Sequence, residues 1–367
     1  MKKISFAGPS ITEKEINYVI DATKNGFYES YDKHTKLLEK TLSNYLEVPY
    51  VIATHCCTVA LHMAVLALDI GEGDEVIVTD FSWVATAHAI AYTGAKCVFV
   101  DINPDTWCID PLAIRAAVTT KTKAIMVVHC FGIPAQMDEI LKIANEFNLK
   151  IIEDAAPALG SSIKNKKVGT FGDVGCFSFQ GAKLTVSGEG GAFVTSDKEI
   201  FEKAKLLSSM GRTDSKAIFW SDSIGYQYTI ANLTAALALA QVERIDELIA
   251  IKRRIFDRYY KNLSNIEGIK FITSSNESFS NYCYPSILLS NSSKEQRDDI
   301  LSKLRALNIH SRPGFPRMSQ FPMYESRFDN INAKKAEELG ISLSSAANLT
   351  NEDIDFVSNK LIDLLRE

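Results

Sequence analysis

Between residues 75 and 154 the chain alternates short apolar runs with helical patterns, and this alternation leaves few folds open. The runs are 75–79, 96–101, 124–129 and 150–154; each ends on a polar residue, and a helix-period segment separates one from the next. Repetition of this kind predicts a mostly parallel sheet covered by helices on both faces, an α/β fold. Two further apolar runs, 174–179 and 191–195, lie close enough together to be neighbouring strands joined by the loop between them. Upstream, amphipathic helices are expected over 12–25 and 35–46, then a strand over 50–53 and an apolar helix over 59–68. Downstream, the pattern predicts one long helix over 232–262, a strand over 281–290, a helix over 294–308, a rigid loop over 312–317 and a last helix over 351–366. At 367 residues the chain exceeds one typical domain. The change in pattern divides it into a large domain, 1–245, and a smaller C-terminal α+β domain, 246–367, with which the N-terminal segment can pack.

Charge narrows the partners. The net charge is −5 with both signs intermixed, and no basic block marks a nucleic-acid or anionic-membrane surface. No apolar run approaches the roughly 20 residues of a membrane helix. The start, Met1 to Ser10, has basic residues with no apolar stretch behind them, which argues against a secretion signal. The seven cysteines are scattered without paired spacing, which fits a reducing cytoplasm. His55, His62, His88 and His129 lack metal-ligand spacing, so no metal is expected. Small molecules and protein subunits remain as partners.

Two anomalies point to a chemistry. The run Phe177-Ser178-Phe179-Gln180-Gly181-Ala182-Lys183 places a lysine after an apolar strand and ahead of the Gly190-Gly191 pair, where neither neighbour suits a solvated charge. The run Ile151-Ile152-Glu153-Asp154 puts two acids at the end of a strand that reads as buried, and ligands gather at the carboxyl ends of parallel strands. A lysine amine condenses with an aldehyde, and an acid can pair with a protonated pyridine nitrogen; together they suggest pyridoxal phosphate. The bland readings are a surface turn for Lys183 and a helix cap for Asp154. Ser178, five residues before Lys183, can bind a phosphate. Thr58 and the Cys57 amide, between a strand and an apolar helix, form a candidate anion site or an ordinary helix start. The Cys56 and Cys57 side chains read as buried apolar groups. Trp83 follows the strand ending at Thr79 and either stacks on a planar ligand or packs in the core.

These residues resemble those of the DegT/DnrJ/EryC1/StrS sugar-nucleotide aminotransferases, over nearly the whole chain. The most specific pieces are Glu153-Asp154-Ala155-Ala156 followed by Gly160, Gly172-Asp173-Val174-Gly175-Cys176-Phe177-Ser178-Phe179, and Lys183 with Gly188-Glu189-Gly190-Gly191. The resemblance implies the type I fold of pyridoxal phosphate enzymes, with a seven-stranded central sheet. It implies that Lys183 anchors the cofactor and shuttles the proton, and that Asp154 holds the pyridine nitrogen. It further implies that Trp83 stacks on the ring, and that Ser178, Thr58 and the Cys57 amide bind the phosphate. A homodimer with shared sites is implied as well. There the family motif resembling Gly-Tyr-Asn-Tyr-Arg reads Gly225-Tyr226-Gln227-Tyr228-Thr229, leaving Gln227 as the contact to the partner's phosphate. Pro157 departs from the family's Gln or His near the ring hydroxyl. The stretch 26–31, including Tyr31, lies near the sugar in the family and departs too. Arg312 and Phe315 either line the sugar pocket or belong to a structural loop, and His310 stands beside them.

The implied reaction takes L-glutamate as amino donor, releases 2-oxoglutarate and aminates a nucleotide-linked keto sugar. The nearest branch, that of the perosamine synthases, acts on a 4-keto-6-deoxyhexose, with lipopolysaccharide O-antigen synthesis as the setting by analogy. A 3-keto-sugar aminotransferase uses identical chemistry. A related 3-dehydratase has histidine at the lysine position, so Lys183 argues against it. A non-catalytic binding protein on the same scaffold would be expected to lose the lysine, the acid or the phosphate cradle, and this chain keeps all three.

Overall fold

A computed structural model of the chain, describing residues 2–213 and 220–366, joins the seven apolar runs up to residue 195 into one sheet. The strands lie in the order Tyr50–Thr54, Gly191–Thr195, Val174–Ser178, Lys150–Asp154, Thr122–Val128, Glu75–Thr79, Lys96–Val100. Every pair from Val174–Ser178 to Lys96–Val100 is parallel, and Gly191–Thr195 runs antiparallel to both its neighbours. Six carboxyl ends therefore meet at one edge, joined there by the amino end of Gly191–Thr195. Register places Gly191 between Thr54 and Ser178 at that edge.

Alternation along the strands divides the core. Ile77, Ile125, Val127 and Ile151 pack on one face of the sheet; Val76, Val78, Met126 and Ile152 pack on the other. The same parity carries Glu153 to the face of Ile151 and Asp154 to the face of Ile152.

Several boundaries differ from the sequence pattern. The apolar helix starts at Cys57, two residues early, and spans Cys57–Ala67. The first helix, Glu13–Asn25, is set by a capping box between Thr12 and Glu15. The expected long helix over 232–262 is two helices, Asn232–Val242 and Ile245–Leu263. At the break, Arg244 turns its guanidinium onto Glu15 of the first helix and onto Glu247. The strand over 281–290 shrinks to Ser286–Leu289, because the backbone amides of Asn281, Tyr282 and Cys283 donate to the Ser161, Ser280 and Asn281 side chains instead of a ladder. Residues Arg312–Pro313, read from sequence as loop, form an edge strand.

That edge strand belongs to a four-stranded sheet, ordered Ile269–Phe271, Ser286–Leu289, Gly340–Ser342, Arg312–Pro313, with all three pairs antiparallel. The N-terminal segment runs beside the chain that leads into this edge strand, through an isolated parallel bridge between Ile4 and Ile309. No described helix is long and apolar enough to cross a membrane.

Candidate active site

The carboxyl edge of the large sheet faces the Arg312–Pro313 strand across a cavity of about 480 Å3. Its walls include Thr58, Trp83, Asp154, Ser178, Lys183 and Phe315, together with Cys57 and Arg312. A larger, shallower groove along Ile245–Leu263 contains none of the site residues expected from sequence.

One end of the cavity is built to take an anion. The helix Cys57–Ala67 opens from an extended Cys56 with no side-chain cap, so its first amides are free to donate. The helix dipole adds to the pull on negative charge. Gly191 lets this helix start approach the sheet: a Cβ there would lie 2.6 Å from the Cys57 nitrogen. Ser178 closes the same end, its buried hydroxyl accepting from the Gln180 amide at 3.3 Å. The Cys57 thiol is buried, and burial pushes its ionisation well up, so it packs and does not act as a nucleophile.

The two acids of 153–154 separate completely. Glu153 accepts from the Gly169, Phe171 and Gly172 amides and from His129 Nε2, all with no exposure to the cavity. His129 Nδ1 in turn accepts from the Ala135 amide, which fixes the Nε2–H tautomer. Asp154 turns to the cavity, with one oxygen accepting from Thr86 Oγ1 at 2.7 Å and the other from the Ala156 amide at 3.1 Å. Burial pushes its carboxyl up; Thr86, the Ala156 amide, Lys183 and His129 pull the other way. Each carboxylate oxygen has a lone pair left for a donor in the cavity.

Lys183 stands on a tight turn closed by Lys183 N to Gln180 O at 2.8 Å and Gly181 N to Gly188 O at 3.0 Å. The turn is held from below by Tyr284, whose hydroxyl donates to the Ala182 carbonyl at 2.7 Å. The Lys183 ammonium lies 5.8 Å from the centre of the same Tyr284 ring. Trp83 is 64% exposed and lines the cavity, so the core reading does not hold for it; the buried tryptophan is Trp107. Arg312 places its guanidinium 4.3 Å over the Phe6 ring. Pro157 lines the cavity with its carbonyl engaged by Asn281.

Two expected residues lie elsewhere. Gln227 is exposed outside the cavity and donates to Thr229 Oγ1 at 3.1 Å, and Tyr31 is exposed on the first short turn after Tyr28. Sequence reasoning in turn passed over Thr86, Tyr284 and Phe6. Thr86 carried a local signal, standing three residues after Trp83 where a strand gives way to helix; the other two come from distant segments.

The donor set fits pyridoxal phosphate: free helix amides and hydroxyls at one end, an amine on a fixed turn, a buried carboxylate with spare lone pairs, and an indole open to the cavity. The comparisons agree. Residues 9–362 match the DegT/DnrJ/EryC1/StrS aminotransferase family. A GDP-perosamine synthase of Escherichia coli O157:H7 is 38% identical over 364 residues, 98% of each chain. One from Caulobacter vibrioides is 35% identical, covering 100% of this chain and 99% of that one. The fold superposes on a putative sugar aminotransferase of Streptococcus pneumoniae in its PLP form with a TM-score of 0.93 and 26% identity, covering 100% of this chain and 99% of that one. The chain thus belongs to the DegT/DnrJ/EryC1/StrS aminotransferase family and is a pyridoxal phosphate-dependent aminotransferase.

Proposed function

We propose that this aminotransferase moves an amino group from L-glutamate to carbon 4 of a nucleotide-linked 4-keto-6-deoxyhexose, giving a 4-amino-4,6-dideoxy sugar nucleotide. The observation that carries the chemistry is the gathering of Lys183, Asp154, Ser178 and Thr58 around one cavity. The sugar class is supported by the full-length similarity to the two GDP-perosamine synthases.

Pyridoxal phosphate, when bound, supplies an aldehyde that captures amines and a ring that withdraws electrons from the neighbouring carbon. Thr58, Ser178 and the amides at the Cys57 helix start would hold its phosphate. Asp154 would pair with its ring nitrogen, Trp83 would face its ring, and Lys183 Nζ would anchor it. Lys183 Nζ then takes the proton from the Cα of L-glutamate, and in the second half of the cycle it delivers a proton to the sugar carbon that becomes the amine carbon. The turn closed at Gln180 and the Tyr284 hydroxyl keep that amine within reach of both carbons.

The division near residue 245 gives cofactor binding to the first part of the chain and the substrate-facing Arg312 and Phe315 to the second. Gln227 and Tyr31, outside the cavity of their own chain, serve the partner's cavity in a homodimer.

The test is turnover with 15N-labelled L-glutamate and matched 4-keto and 3-keto 6-deoxyhexoses carried on GDP and on dTDP. The expected product carries the label on carbon 4. Label on carbon 3 alone, or transfer only to simple 2-oxo acids, overturns the reading.

A further inference from the structure

Beside the active-site cavity lies a second, smaller one of about 280 Å3, lined by Lys3, Arg305, His310 and Arg312, with Ser5 and Ser311 between them. The two cavities share Phe6, Ala182 and Arg312 in their walls, and Ala182 is the residue next to Lys183. No acid lines the smaller cavity, and none of its four basic residues is in an ion pair with a described residue.

The backbone explains how these basic side chains converge. Ile4 N donates to Asn308 O at 2.9 Å and His310 N to Ile4 O at 3.0 Å, which ties the N-terminal segment beside 308–310. Ile4 and Ile309 point into the core, and alternation then turns Lys3, Ser5 and His310 outward into the groove. Arg305 arrives from the helix Lys294–Ala306, and Arg312 from the edge strand, stacked on Phe6. The Ser311 hydroxyl oxygen is buried with no hydrogen-bond partner in the structure. A buried unpaired hydroxyl is costly unless something else bonds to it.

The contrast with the large groove along Ile245–Leu263 is informative. That groove has more basic residues, but Asp246 and Asp257 line it too. Its arginines are already engaged: Arg253 on the Ser280 carbonyl, Arg254 on Leu349 and Asn351, Arg258 on Asp355. The smaller groove leaves its cations free for a ligand.

We infer that the Lys3–Arg305–His310–Arg312 groove binds the diphosphate of the substrate, an inference that rests on the nucleotide-sugar reading. A diphosphate attached to the sugar's anomeric carbon must leave the active-site cavity within a hexose's length of Lys183. Ala182 and Arg312 stand between that cavity and a groove whose charge suits it. Guanidinium groups bind phosphate oxygens in bidentate, charge-assisted pairs, and unpaired cations make no competing bond that must first be broken. Arg312, standing in both walls, is the hinge between sugar and diphosphate.

The experiment is calorimetric titration of the cofactor-loaded enzyme with GDP, inorganic diphosphate and guanosine, on wild type, on Arg305→Ala, on Lys3→Ala and on the double variant that combines them. GDP and inorganic diphosphate are expected to bind competitively and to weaken as salt rises; guanosine is expected to bind much more weakly. Each substitution is expected to weaken GDP binding about tenfold and to raise the sugar-nucleotide KM, with unchanged thermal unfolding and cofactor absorbance. Equal GDP affinity in wild type and the double variant overturns the inference. So does tight guanosine binding without a diphosphate contribution. If 4-keto turnover is absent while the two substitutions still weaken GDP binding, the sugar assignment fails and the groove stands. If turnover occurs and the double variant binds GDP as wild type does, the groove fails and the sugar assignment stands.

Discussion

Thr86 Oγ1 donates to Asp154 Oδ2 at 2.7 Å, joining the first turn of one helix to the end of a strand 68 residues away. Burial pushes the Asp154 carboxyl up, and the Thr86 hydroxyl is the foremost of the contacts that oppose it. Thr86→Val keeps the side-chain shape and removes that donor, so the carboxyl rises further and pairs less well with a protonated ring nitrogen. Pyridoxal phosphate affinity is expected to fall about tenfold, the equivalent of one charge-assisted hydrogen bond. Thr86→Ser should restore it. Fluorescence titration of apoenzyme with cofactor gives the comparison, and wild-type affinity in Thr86→Val would remove the assigned role.

Lys183→Ala removes the only lysine amine among the described residues that line the cavity. Turnover is expected to drop by at least about a thousandfold, since anchoring and proton transfer are lost together. Borohydride treatment should fix the cofactor onto residue 183 in the wild type and nowhere in the variant. Peptide mass analysis reads both, and a cofactor fixed elsewhere in the wild type contradicts the role.

Gly191→Ala and Gly188→Ala separate close approach from backbone conformation. A Cβ on Gly191 would sit 2.6 Å from backbone atoms of Cys56 and Cys57, so the helix start must move away from Ser178. This variant is expected to lose about 1–3 kcal/mol of stability and most of its cofactor affinity. Gly188 has φ of +84° and open space around it, so alanine there costs only about 1 kcal/mol of backbone strain. Urea unfolding and cofactor titration of both variants provide the test; similar cofactor affinity in the two would mean that the helix start does not hold the phosphate.

Much of the molecule was legible in local pattern, and the failures share one cause. The seven strands follow from apolar runs because a sheet covered on both faces tolerates little else. Strand parity also explains why two adjacent acids part company, although their partners could not be read: Glu153 meets 169–172 and Asp154 meets Thr86. The break between 242 and 245 was hidden because Arg244 answers to Glu15, 229 residues away. Phe6 and Tyr284 were hidden in the same way, since a ring pair 5.1 Å apart leaves no mark on either local sequence. Trp83 shows the converse, an aromatic that looks like core and stands open.

Glu153→Ala should be the most damaging of the non-catalytic changes. It leaves three inward-facing amides and His129 Nε2 without an acceptor. A loss of about 3–5 kcal/mol is expected, the scale for removing one side of a buried charged network. The urea midpoint measures it, and a shift of less than about 1 kcal/mol would mean that the 169–172 loop finds other partners.

Glu39 makes stability fall with rising pH in a window where most acids are silent. Its carboxylate accepts from the Ala53 amide at 3.0 Å, on the outer side of the edge strand Tyr50–Thr54. Burial pushes its ionisation up from 4.5 to about 7, with the negative charge of Asp32 acting in the same direction against the Ala53 amide and Lys36. Between those two values the folded chain retains a proton that the unfolded chain has released. Folding stability therefore declines as pH rises through the window, then levels off where both states are ionised. Glu15 acts in the opposite sense and elsewhere. Its burial is outweighed by Thr12, Arg244 and Gln241, which hold it near 2, so its contribution is complete above 4.5 and is lost only in acid. Glu39→Gln can still accept from Ala53 and has no proton to lose. The variant and the wild type should unfold at similar temperatures at about pH 5, with the wild type several degrees lower at about pH 8. Thermal unfolding of the pair at both pH values decides it, and parallel behaviour would place the ionisation of Glu39 in the ordinary carboxylate range.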